Sequence, residues 1–161
     1  MTSKEIKIAY KEYSSIDELE PKDKELAQAA IDATAQAYAP YSKFNVGAAV
    51  LFEDGVIVKG SNQENAAYPS GLCAERTTLF YANAHYPDRK VVALAIAAAQ
   101  NEDFLEEPIS PCGACRQVIL ETEKRFGTPV RIILYGTKEC YIIEDGIKSL
   151  LPLSFNSDFL E

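Results

Sequence analysis

A chain of 161 residues with 47% hydrophobic and 25% charged residues has the size and balance of an ordinary globular domain. That balance excludes a disordered chain and removes the need for a disulfide scaffold. Sixteen basic against 24 acidic residues leave a net charge of −8, which argues against nucleic acid or an anionic membrane surface as a partner.

No run approaches the ~18 apolar residues of a membrane span. Met1 to Ile8 lack the apolar core of a signal peptide. A cytoplasmic location is therefore expected, where the four cysteines serve more often as ligands, nucleophiles or bystanders than in disulfides.

Residues 5–13 alternate, with Ile6, Ile8 and Tyr10 on one side against Lys7, Ala9 and Lys11, which predicts a strand. Residues 22–39 place Leu26, Ala29, Ala30, Ala33 and Ala37 at helical spacing, and Pro40 stops the predicted helix. Residues 46–52 and 56–60 predict a hairpin around Glu53-Asp54-Gly55. A polar loop over residues 60–71 leads into a helix that starts at Cys73 or Ala74 and ends near His85. Residues 91–99 predict a buried strand, followed by an acidic loop to Ser110. Pro111 suits the first turn of a helix over residues 112–126, and Gly127 suits its C-cap. Strands are expected at 130–135 and 141–143. The alternation predicts an α/β fold, three layers (α/β/α) around a mixed, mostly five-stranded central sheet. Residues 1–161 are expected to form one domain, with 1–20 an N-terminal extension of unassigned role.

Cys112-Gly113-Ala114-Cys115 puts two thiols on one face of a first helical turn, where unpaired N–H groups favour thiolates. Alone it fits either a metal site or a thioredoxin-like redox pair. Cys73-Ala74-Glu75 opens the preceding helix. A catalytic zinc site needs three protein ligands and an open position, and Cys73, Cys112 and Cys115 supply three. A redox pair leaves Cys73 and Glu75 unexplained, and a purely structural zinc site wants a fourth ligand. His85 and Cys140, the spare candidates, lack paired spacing; His85 is expected at a helix end and Cys140 as a small buried residue. Tyr41 and Tyr68 are read as packing and Arg116 as a helix-surface charge.

Cys73-Ala74-Glu75 followed by Pro111-Cys112-Gly113-Ala114-Cys115 resembles the three-cysteine form of the zinc nucleobase deaminase signature. With Tyr41-Ser42-Lys43-Phe44-Asn45-Val46-Gly47-Ala48-Ala49, Asn62-Gln63-Glu64-Asn65-Ala66, Arg76-Thr77, Arg116-Gln117 and the tail Leu150-Leu151-Pro152 with Phe155, the chain resembles the small homotetrameric cytidine deaminases. The resemblance implies one zinc ion per chain on Cys73, Cys112 and Cys115, with Glu75 as proton shuttle. It implies that Asn62 and Glu64 bond the ribose, that Phe44 packs on the pyrimidine, and that the Ala74 N–H and Ser110 carbonyl meet the exocyclic groups. Phe155 would reach the ring from a neighbouring subunit of a homotetramer, with active sites near subunit interfaces.

Three thiolates on Zn²⁺ leave a formal charge of −1 and a weaker Lewis acid, so a compensating cation is expected. Arg76 is the candidate: a unit charge ~5 Å away at an effective dielectric of ~20 is worth about 3 kcal/mol, or roughly two pKa units. The implied activity is hydrolytic deamination of cytidine and deoxycytidine. The alternatives are a deaminase of a cytosine-containing antibiotic such as blasticidin S, a thiol–disulfide oxidoreductase, and a non-catalytic zinc-stabilised module.

Overall fold

Side chains that alternate along two long central strands divide the core of this protein into two halves. The computed structural model describes residues 1–160. Its strands are β1 (Lys11–Tyr13), β2 (Phe44–Phe52), β3 (Ile57–Ser61), β4 (Val91–Gln100), β5 (Asp103–Phe104), β6 (Arg131–Tyr135) and β7 (Cys140–Ile143). Its helices are α1 (Pro21–Ala33), α2 (Ala74–His85) and α3 (Gly113–Phe126). On one face of the sheet Val46, Ala48, Val50, Leu94 and Ile96 pack with Leu79 of α2 and Ile119 of α3. On the other, Ala49, Leu51, Ala93, Ala95 and Ala97 pack with Leu26, Ala27 and Ala30 of α1. Period-two strands between period-3.6 helices thus give the expected three layers.

The strand order is β1-β7-β6-β4-β2-β3, with β5 added to β4. Only β4 and β6 run parallel, joined through α3, so the sheet is mixed. It holds seven strands instead of the five expected, because β1 of the N-terminal extension joins the sheet edge and β5, two residues long, is too short to set a pattern. The strand expected over residues 5–13 forms only at Lys11–Tyr13. Lys11 pairs with Ile142 and β7 ends at Ile143, so the residues before Tyr10 run past the end of their partner.

The helix expected over residues 22–39 stops at Ala33 and tightens into a 3₁₀ turn over Thr34–Gln36. The competing interaction lies just beyond it. Tyr38 N–H donates to the Asn62 carbonyl at 3.0 Å and the Glu64 N–H donates to the Tyr38 carbonyl at 2.8 Å, which ties the chain to the polar loop.

Two glycines let the helices seat closely. A Cβ on Gly47 would lie 2.0 Å from the Ala30 carbonyl oxygen of α1, and one on Gly60 would lie 2.7 Å from Thr78 Oγ1 of α2. Backbone cannot yield as a flexible side chain would. Gly47→Ala should therefore cost about 1–3 kcal/mol in urea unfolding; an unchanged midpoint would contradict the close approach of α1 to β2.

Candidate metal centre and active site

Two helices begin at the same place. Cys73 is the N-cap residue of α2 and Cys112 that of α3, both with extended backbone and neither bonding its own helix through the side chain. Cys115 lies in the first turn of α3 and is buried. The sulfurs converge: Cys73 Sγ is 3.8 Å from Cys112 Sγ, which is 3.5 Å from Cys115 Sγ. All three lie within 4.8 Å of one another. Zn–S bonds of about 2.3 Å in a tetrahedron require sulfurs about 3.8 Å apart, so the donor set fits a zinc ion.

Electrostatics favour an anionic sulfur at Cys73. Hydrogen bonds from the Cys115 thiol and from Arg76 hold Cys73 well below the ordinary thiol range, at about 5. The Cys115 thiol, donating to Cys73 and buried, is pushed up. Arg76 Nη2 stands 3.9 Å from Cys73 Sγ, while its buried Nε has no partner. Glu75, 4% exposed, has its carboxyl pKa raised by burial.

These groups open onto a cleft of about 820 Å³, within the usual range for a small-molecule site. Phe44 and Val46 of β2, Asn62 and Glu64 of the polar loop, and Ser110 line it together with Cys73, Glu75, Arg76 and Cys112. Asn62 Oδ1 accepts from Val46 N–H at 2.8 Å and its Nδ2 donates to the Phe44 carbonyl at 2.9 Å. That amide prolongs the pairing at the start of β2 and so fixes Phe44. Glu64 accepts from the Tyr41 and Ser42 N–H groups at 2.9 and 3.3 Å. The Ser42 hydroxyl, with these amides, holds its carboxyl below the usual range.

A family profile described as the cytidine and deoxycytidylate deaminase zinc-binding region matches residues 20–127. The chain belongs to the cytidine and deoxycytidylate deaminase family. It is 42% identical to a cytidine deaminase of Halalkalibacterium halodurans over 83% of this chain and 93% of that relative. It is 55% identical to a cytidine deaminase of Sporosarcina psychrophila over 78% of this chain and 85% of that one. The fold is similar to the crystal structure of cytidine deaminase from Burkholderia pseudomallei, with a TM-score of 0.70 at 38% identity, covering 81% and 97% of the two chains. Cytidine deaminase from Mycobacterium tuberculosis gives 0.63 at 32%, covering 82% and 95%.

The remaining residues complete the picture of this deaminase-family chain. Ala74 is buried as the first residue of α2, where its N–H has no helical partner. Phe155 lies apart from the cleft residues: it is 60% exposed, stacks on Phe159 with ring centroids 5.9 Å apart, and its carbonyl accepts from Gln117 at 2.9 Å. Arg116 is no surface charge, since Nε donates to the Pro111 carbonyl at 2.8 Å and Nη1 to the Leu150 carbonyl at 2.7 Å. It clamps the loop before Cys112 to the C-terminal segment. Tyr41 and Tyr68, read from the sequence as packing, are half or more exposed and line the cleft, with rings 6.0 Å apart. Their signal was position beside Phe44 and the polar loop. His85 ends α2, stacked on Tyr81, and Cys140 is wholly buried, its thiol pushed up to about 11 by burial.

A carboxyl whose folded pKa is raised binds its proton more tightly in the native state, so stability falls as pH rises through that interval. Metal-free Glu75→Gln protein should therefore melt above metal-free wild type at pH 7, the gap narrowing as pH falls toward the ordinary glutamate range and closing below it. A gap that stays constant with pH would contradict the buried, proton-holding Glu75.

Proposed function

We propose that this protein hydrolyses cytidine and deoxycytidine to uridine and deoxyuridine plus ammonia, within pyrimidine salvage. The single observation that carries the reading is the buried Glu75 carboxyl beside three convergent cysteine sulfurs, with Glu75, Cys73 and Cys112 lining one cleft. Cys73, Cys112 and Cys115 hold one zinc ion, which supplies the Lewis acidity that makes water nucleophilic near neutral pH. Arg76, bonded to Cys73, and the two helix N-termini draw charge from the thiolates and keep that acidity useful.

Glu75 takes a proton from the attacking water and delivers it to the ring nitrogen beside C4, then carries the second proton to the departing ammonia. Burial suits it to both tasks, since a raised pKa makes the carboxylate a better base while its acid form can still return the proton. Phe44 packs against the pyrimidine, while the Ala74 N–H and the Ser110 carbonyl meet the exocyclic groups. Asn62 and Glu64 bond the ribose with the acceptor and donor capacity their backbone contacts leave free. Free cytosine leaves those groups unmatched and should be a far poorer substrate.

We further infer a homotetramer of one-domain chains in which the exposed Phe155 enters a neighbour's cleft. A cytoplasmic location agrees with four cysteines that are all free.

Ammonia release from cytidine, deoxycytidine, cytosine and blasticidin S, measured on protein of known zinc content, tests the assignment. Glu75→Gln should retain about one zinc per chain and lose about 10²–10⁴-fold in turnover; robust residual activity would remove the shuttle role. Arg76→Gln should lower turnover while zinc stays stoichiometric. Unchanged activity with an unchanged pH profile would overturn its charge-withdrawing role.

A further inference from the structure

The N-terminal segment carries a pattern that the cleft does not use. β1 closes one edge of the sheet and pairs only with β7. Ahead of it, residues 5–10 belong to no strand. Ile6, Ile8 and Tyr10 are 55%, 54% and 54% exposed. In the register of β1 on β7, Glu12 faces Tyr141, and the Tyr10 ring lies 4.8 Å from the Tyr141 ring. The even-numbered residues thus share the face of Tyr141, the α2/α3 face of the sheet. An exposed sheet edge with an apolar stripe beside it is a template for strand addition.

The sequence specifies the partner. When residues 4–12 are laid antiparallel against the same residues of a second copy with Ile8 opposite Ile8, Ile6 falls opposite Tyr10, Lys4 opposite Glu12 and Glu5 opposite Lys11. Lys7 falls opposite Ala9, and no like charges meet. A slip of one residue sets Lys4 against Lys11 or Glu5 against Glu12, and a slip of two sets Lys7 against Lys7 or against Lys11. Opposite charges directly across a strand pair stabilise it and like charges destabilise it, so one register is selected. The even face then joins Ile6, Ile8 and Tyr10 of both copies into a continuous apolar strip beside Tyr141.

We propose that residues 4–12 form an antiparallel strand pair with a second copy of this chain, extending the sheet across a two-fold axis at Ile8. The residues of this contact are distinct from those that line the cleft. It also accounts for the strand pattern over residues 5–10, which finds no partner within one chain.

Sedimentation of the zinc-loaded protein over a wide concentration range tests this. Wild type should gain mass reversibly as concentration rises, and a variant lacking residues 1–9 should stay at the lower mass. Lys4→Glu and Glu12→Lys each create like-charge pairs at two symmetric positions and should each weaken the association about tenfold. The double variant Lys4→Glu/Glu12→Lys restores the opposite-charge pairs and should associate within a few-fold of wild type. Zinc content and deamination per chain at low concentration should be unchanged in all four variants. Mass that is independent of concentration, or a double variant no stronger than the single ones, would overturn the proposal.

Discussion

Two helices aim their N-termini at one point, and the structure can hold them there only with negative charge between them. Each N-terminus carries a partial positive charge of about half a unit from unpaired N–H groups. Bringing two such ends together is unfavourable unless an anion separates them. Cys73 and Cys112 at the N-caps, with Cys115 one turn on, place three sulfurs in that position. Arg76 adds positive charge from the α2 side. The arrangement concentrates sulfur ligands where a divalent ion offsets the mutual repulsion of their thiolates. Metal binding and helix placement are thus one interaction.

Much of what surrounds this centre serves to keep it in register with the cleft. Gly47 admits α1 against β2 from one side of the sheet, and Gly60 admits α2 from the other. Asn62 prolongs the hydrogen bonding at the start of β2, which orients Phe44. Arg116 fixes the loop before Cys112 by bonding carbonyls at both its ends. Glu123 does similar work farther along α3, accepting from the Val130 and Ile147 N–H groups at 2.9 and 2.8 Å. Asn62, Arg116 and Glu123 all bond backbone, so each ties together segments separated in sequence.

The convergence of the three cysteines, with Glu75 beside them, was legible in the sequence because its signal is local: cysteines at two helix starts, with the carboxylate two residues beyond one of them. The layers were legible because strand and helix periods differ. The strand count was not, since β5 is too short to set a period, and the alternation over residues 5–13 marks a longer strand than the three residues that pair with β7. The end of α1 was hidden for a related reason. Ala33 to Ala37 favours helix, but the backbone of Tyr38 is claimed by residues 62 and 64, a contact no local window contains. Arg116, Tyr41 and Tyr68 were misread on the same ground, because their partners lie on other segments.

X-ray absorption at the zinc edge of the purified protein is the most direct measurement of the central claim. The account predicts a first shell of three sulfurs at about 2.3 Å and one oxygen at about 2.0–2.2 Å. A shell of four sulfurs, or of two sulfurs with two nitrogens, would contradict it.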